Sequence, residues 1–397
     1  MVTFLPFAGF RPAMRAGESI SDRVSPPYDV IGPEELARLQ SHADNITNLT
    51  LRPDGDKRYK GSRKTLDGMI ESGSLKQDTP SFYLYDQTFE ADGKEYRRRG
   101  LVGVLKTEEY SQTGVIPHEE TFSKVKADRL NLLRDVEAHL ESIFGIFPGL
   151  GEELNRKIDG EARLLYRYTD ADGTEHRYSR IADEGLCAAI SEKLKDQSML
   201  IADGHHRYET ALNYAKENPG CEAKQYVLCT MVASDDPGLV IKPTHRLVDA
   251  EDIGETSAIK KLEKNLRLTE TDLKGLEGSL KDHMLGLLFK SGKCYFADPC
   301  REYDDIMMSL DTYFARAEIL DGVYKNDEGK SSVSFDAELS SVEEAMAAKK
   351  HDVAVILNPP SLETIWDLAG KGKRMPKKTT FFFPKIWSGW VIYLMRQ

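Results

Sequence analysis

Long apolar runs are missing from this chain. No stretch approaches the ~20 residues that a helix needs to cross a bilayer. The opening, MVTFLPFAGFRPAM, lacks the basic start and long apolar core of a secretory signal. Cysteine is scarce, five in 397 residues, irregularly spaced and with no C-x-x-C pair. That excludes a disulfide scaffold or a zinc ribbon and fits free thiols in a reducing cytoplasm. Positive charge is short as well. The net charge of −11 argues against nucleic acid held by bulk charge, while leaving room for a local basic patch. There is no internal repeat and no low-complexity tract. What is left has ordinary globular composition and the length for two or three domains.

The densest chemistry lies in Ser198–Asn218, SMLIADGHHRYETALNYAKEN. Met199 to Ala202 is an apolar run of strand length. Asp203-Gly204 interrupts it. Tyr208, Ala211, Leu212 and Ala215 then recur at helical spacing, which predicts strand, tight turn, helix. A helix start presents backbone N–H groups and the positive end of the dipole. Gly204 permits close approach to the backbone, and His205, His206 and Arg207 add donors. These parts suit an anion, phosphate above all. The bland alternative is an N-cap, a turn glycine and a solvated basic face.

Two further polar clusters stand out. His118 and Glu119 precede Thr121, Lys124, Lys126, Asp128 and Arg129. His118-Glu119 invites an HExxH reading, but Phe122 occupies the place of the second histidine, so the zinc-protease motif fails. A carboxylate and an imidazole beside basic residues remain, able to hold a polyanion and supply a general base, or simply to cap a helix. That helix is predicted from Leu130 through Leu133, Val136, Leu140, Ile143 and Phe144. The third cluster is Thr244, His245 and Arg246 after Pro243. A lone histidine there is more often structural, and its neighbours raise the functional case a little.

Elsewhere, Ala91-Asp92-Gly93 joins two β-rich runs, and Asp170 to Gly173 joins two more, each predicting a hairpin. Arg97, Arg98 and Arg99 read as charge on an exposed strand edge. Asp44 to Arg52 reads as extended. Pro26-Pro27 precedes Tyr28-Asp29-Val30, with Asp29 bracing a turn. A boundary is expected near 250, giving domains 1–250 and 251–397. The aromatic tail around Phe381, Trp387 and Trp390 reads as core and strand rather than a base-stacking platform.

The motifs ADGHHRYETAL, PPYDVI, PHEETF with KADRLNLL, KPTHRLV and MPKKTTFFFPK together resemble one prokaryotic family, domain of unknown function 1015, across essentially the whole chain. The DGHHR element also resembles the phosphate-binding turn of the ParB/sulfiredoxin superfamily, which includes ParB-like free-serine kinases. The resemblance implies an α+β (mixed α/β) fold with a ParB/sulfiredoxin-like nucleotide-binding core, β-hairpins and an additional α/β C-terminal region. It implies phosphate contacts at Asp203, Gly204, His205, His206 and Arg207 only. In those kinases the base is a glutamate outside this turn, and Glu119 is the candidate here by chemistry, not by alignment.

The expectation is therefore a cytoplasmic nucleotide-binding protein that transfers a phosphoryl group to a small hydroxyl-bearing metabolite, with no membrane partner. ATP or ADP is the first choice of nucleotide, with Mg²⁺ as companion. Asp203, Glu119 and His118 are the catalytic candidates. Gly204, His205, His206, Arg207, Lys124, Lys126, Arg129, Thr244, His245 and Arg246 are the phosphate-binding candidates, and no resident metal site is expected. The rivals are a nucleotide-gated regulatory protein without turnover and, third, a metal-dependent hydrolase using His118, Glu119, His205 and His206.

Overall fold

Asp92 and Gly93 sit at φ +50° and +69°, the left-handed pair that a two-residue hairpin loop requires. They join strands Phe82–Ala91 and Lys94–Lys106, paired in register from Tyr83↔Val102 to Ala91↔Lys94. The computed structural model describes residues 1–28, 30–53, 58–121, 123–250 and 253–396, with no side chains at 123–126. Asp29 and the side chains of Lys124 and Lys126 thus lie outside the described residues.

The chain divides into two compact units. The first holds Met1–Pro117, Thr121–Val240 and Pro384–Gln397; the second holds His118–Glu120 and Ile241–Phe383. Where the sequence placed one boundary near 250, the chain crosses at 240/241, and its last segment belongs to the first unit.

The first unit is built on a nine-stranded mixed sheet. Its strands are β1 (Phe4–Leu5), β2 (Phe82–Ala91), β3 (Lys94–Lys106), β4 (Val115–Ile116), β5 (Ile143–Phe147), β6 (Arg163–Thr169), β7 (Glu175–Ile181), β8 (Met199–Asp203) and β9 (Tyr226–Ala233). They lie in the order β4-β8-β5-β9-β3-β2-β7-β6, with β1 on β3. β5 runs parallel to β9 and antiparallel to β8. The sheet is covered on both faces. Along β2, Phe82 and Leu84 enter one apolar cluster while Tyr83 and Tyr85 enter the other. Period-two alternation thus persists inside a strand whose two faces are both buried. Trp390 and Val391 from the tail complete the second cluster.

Three local expectations fail for identifiable reasons. The helix predicted through Phe144 ends at Val136, because Glu137 adopts φ +52° and breaks the turn. Ile143 and Phe144 belong instead to β5, whose IFGIF run is buried throughout. A short apolar run satisfies helix and strand spacing alike, and sheet pairing decides it. Asp44 to Arg52 contains a helical turn at Thr47–Thr50 rather than an extended segment. Arg98 is 1% exposed, since β3 lies inside the sheet rather than at its edge.

The second unit carries an antiparallel six-stranded sheet. Its strands are β10 (His245–Ala250), β11 (Leu266–Thr271), β12 (Leu285–Phe289), β13 (Cys294–Pro299), β14 (Ser331–Asp336) and β15 (Val353–Leu357), in the order β11-β13-β12-β15-β10-β14. Val353, Val355 and Leu357 of β15 pack into one cluster, and Ala354 and Ile356 into the opposite one. Both units are mixed α+β. No helix among the described residues is long and apolar enough to cross a membrane.

Candidate functional site

Strand β8 enters the sheet as a buried apolar run and delivers Asp203 at its end, opposite Phe144 of β5 and just past a register shift. Gly204 follows at φ +91°, ψ +27°. A side chain there would be strained by that backbone, and its Cβ would stand 3.1 Å from Arg207 Nε, Arg207 Nη2 and Ile143 Cγ2. The helix α1 (His205–Glu217) begins at once, with no side-chain cap from Gly204. Tyr208, Ala211, Leu212 and Ala215 face the core as their spacing predicts. Strand, turn and helix thus place His205, His206 and Arg207 in the first helical turn.

The charges around the turn form a fixed set. Arg207 Nη2 donates to Asp203 Oδ2 at 2.8 Å, and its Nη1 donates to the Ser142 carbonyl. Lys385 Nζ donates to Asp203 Oδ1 at 3.1 Å. The hydroxyls of Ser142 and Thr230 share a hydrogen bond of 2.9 Å behind this carbonyl. Burial pushes the Asp203 carboxyl upward, but the neighbouring Lys385 and Arg207 outweigh it and hold the group far below the usual carboxylate range. Asp203 is therefore a permanent anion between two cations, and this trio carries net positive charge at a helix start. His205 is 6% exposed and adds to the field at Asp203.

Arg129 belongs to the same unit. Together with Arg207, His139, Glu141 and Thr210 it lines a cavity of about 50 Å³. Its guanidinium lies over the Tyr28 ring at 4.3 Å, and its Nη1 is 3.6 Å from Glu141 Oε2. That buried Nη1 has no hydrogen-bond partner among the described residues.

His118, Glu119, Thr244, His245 and Arg246 all belong to the second unit, where His118, Glu119 and Arg246 contact residues 378–380. Glu119 Oε1 accepts from the backbone N–H of Thr379 at 2.9 Å and of Thr380 at 3.2 Å; Oε2 accepts from that of Lys378 at 3.4 Å. His118 is fully buried, with Nε2 3.0 Å from Thr380 Oγ1. Arg246 donates to the carbonyls of Thr244 and Lys378. Burial lowers the Arg246 guanidinium to about 10, partly opposed by Glu119. His245 Nδ1 accepts from the Leu357 N–H, and burial, helped by Arg246, lowers the ring to about 4, so it is neutral. Two motifs far apart in sequence thus hold one loop.

Among the described residues no group of three or more His, Cys, Asp or Glu is placed to hold a metal. Sequence reasoning missed Lys385, Ser142 and Arg98 as parts of the turn's surroundings. For Lys385 a signal existed, since it ends the MPKKTTFFFPK motif. Nothing comparable marked Ser142.

Fold and site together define a two-unit α+β protein organised around a strand–turn–helix that carries an aspartate between two cations. Its sequence matches the family described as "Protein of unknown function (DUF1015)" over residues 4–313, and the chain belongs to that family. Comparison with curated proteins gives no match. Among solved structures, a free serine kinase variant in complex with AMP is 14% identical, with a TM-score of 0.41, over 70% of this chain and 89% of that one. A free serine kinase variant in complex with ADP gives 14% and 0.40, over 70% and 89%. A conserved hypothetical protein from Pyrococcus furiosus gives 15% and 0.40, over 71% and 94%. Similarities this low assign neither ligand nor reaction to this chain.

Proposed function

We propose that the first unit binds a nucleotide through its phosphates at Asp203–Arg207 and passes a phosphoryl group to a small hydroxyl-bearing metabolite. The observation that carries this is the turn itself: glycine at φ +91° opening a long helix, with Arg207 and Lys385 fixed on Asp203. Phosphoryl transfer asks mainly for positioning and positive charge, which these groups supply. The resemblance of DGHHR to a phosphate-binding turn supports nucleotide over other anions.

In this reading Gly204 and the first-turn amides of α1 receive phosphate oxygens. His205, His206 and Arg207 add charge, and Arg129 holds a further oxyanion group. Asp203 orients the cations. Its two cation partners hold its carboxylate ionised and occupy both oxygens, so positioning charge is its first role here. Its two oxygens already hold Lys385 and Arg207, so Mg²⁺ arrives with the nucleotide rather than on a resident carboxylate site. Glu119 and His118 anchor the 378–380 loop, with Arg246 as a further support through the Lys378 carbonyl.

The test is thermal unfolding of the full chain with ATP, ADP, CTP and GTP, each with and without Mg²⁺. Ligand at a hundred times its dissociation constant adds about 2.7 kcal/mol, which shifts the midpoint by several degrees. Stabilisation by a nucleotide, lost in His206→Ala/Arg207→Ala, is the expected result. No shift with any nucleotide contradicts the proposal.

A further inference from the structure

The backbone that carries Lys385 is gripped by two buried side chains. Gln87 of β2 and Arg98 of β3 face each other across the ladder, and each is 1% exposed. Arg98 donates to Gln87 Oε1 at 2.5 Å and to the Pro384 carbonyl. Gln87 Nε2 donates to the Lys385 carbonyl at 3.0 Å. Two consecutive carbonyls, 384 and 385, are thereby fixed to the sheet. The Arg98 guanidinium also lies over the Phe144 ring at 5.1 Å, and Phe144 is the residue opposite Asp203. One buried polar pair thus touches both the strand that faces Asp203 and the segment that brings Lys385 to it.

Burying a guanidinium is costly, and an apolar pair of equal volume is often neutral or stabilising in its place. An apolar pair would not fix two successive carbonyls, and so would not fix the root of Lys385. The lysine's position is specified more tightly than a surface ion pair requires.

We propose that Lys385 is a ligand of the anion bound at the Asp203–Arg207 turn, and that Gln87 and Arg98 are the positioning residues that hold it there. The proposal rests on the phosphate-site reading above. An ammonium carries three N–H donors, so Lys385 can hold Asp203 and an anion oxygen together. It completes a half-ring of charge with Arg207 on the opposite carboxylate oxygen.

The experiment is calorimetric titration of the full chain with ADP and, in parallel, inorganic pyrophosphate. Wild type is compared with Lys385→Ala, Lys385→Arg, Gln87→Glu and the double variant Gln87→Glu/Lys385→Ala. Gln87→Glu keeps an acceptor for Arg98 and removes the donor to the Lys385 carbonyl. Lys385→Ala is expected to weaken binding about tenfold or more, as loss of a charge-assisted hydrogen bond does. Lys385→Arg is expected to recover much of that loss. Gln87→Glu is expected to weaken wild type several-fold and to add nothing once Lys385 is gone. If the glutamate variant does not fold, Gln87→Met, which removes the Arg98 acceptor as well as the donor, is read in the same two backgrounds. Equal affinity of wild type and Lys385→Ala overturns the role of Lys385 and leaves the phosphate site standing. An equal effect of the Gln87 change in both backgrounds overturns the positioning role. No binding to wild type overturns the phosphate site, and this proposal with it.

Discussion

Lys385 Nζ donates to Asp203 Oδ1 at 3.1 Å although 182 positions separate the two residues. The aspartate that ends β8 is thereby tied to the last segment of the chain, which belongs to the first unit. A helix-start turn that would otherwise be a local feature is built from two separate segments of its unit. The pairing also keeps Asp203 ionised, since a carboxylate held between two cations is held far below the usual carboxylate range.

That pairing has a pH signature. The Asp203 carboxyl is depressed in the folded state, so its stabilising contribution is present above the unfolded carboxylate value and is lost as pH falls. Asp203→Asn is expected to lower stability at neutral pH by about 1–2 kcal/mol, near the low end for charged hydrogen bonds because exposure screens the pair. The difference from wild type should shrink only below about pH 4. Urea unfolding of both proteins across that range checks it.

Gly204→Ala places a β-carbon at φ +91° and 3.1 Å from the Arg207 guanidinium. The left-handed backbone alone costs about 1–2 kcal/mol for a residue with a side chain. The expected outcome is a stability loss of that size by denaturant titration, with weaker ADP binding as Arg207 is displaced. Unchanged ADP affinity would mean that the approach to Gly204 is not used.

Glu119 separates anchoring from proton transfer. Glu119→Ala strips acceptors from the N–H groups of Thr379 and Thr380 and is expected to destabilise the protein by about 2–3 kcal/mol. Glu119→Gln keeps an acceptor and should cost less than about 1 kcal/mol. Once a phosphotransfer assay exists, an anchor predicts that the glutamine variant keeps most of its turnover. Loss of turnover in Glu119→Gln with stability intact would restore Glu119 as the base.

Two buried histidines predict acid sensitivity. Burial lowers His139 and His245 to about 4 each. Both are neutral when folded and protonate more readily when unfolded, so stability falls as pH drops from about 6.5 toward 4, by about 2–3 kcal/mol per histidine. His245→Asn can still accept from the Leu357 N–H and should remove its share of that slope. Denaturant unfolding at about pH 7 and about pH 4.5 measures it.

The turn was legible because everything it needs is consecutive: an apolar strand, Asp203-Gly204, then helical spacing from Tyr208. The Asp92-Gly93 hairpin was legible for the same reason. Lys385 was not, because its partner lies in another part of the chain and a lysine among Phe381, Phe382 and Phe383 looks like ordinary surface charge. Arg98 misled for a related reason: three successive arginines suggest an exposed limb, and only the sheet order makes β3 internal. Ile143 and Phe144 fit helical spacing, yet the parallel partner β9 takes them as strand. Local pattern carried the local motifs, and long-range pairing carried the rest.

The most direct test of the phosphate turn is a TROSY spectrum of protein labelled with ¹⁵N only at histidine, titrated with ADP. Nine histidines give a small set of amide signals. Phosphates at the start of α1 predict that the His205 and His206 amides move most, and in step with binding. Binding that leaves those two amides in place while others shift would put the nucleotide elsewhere and contradict the claim.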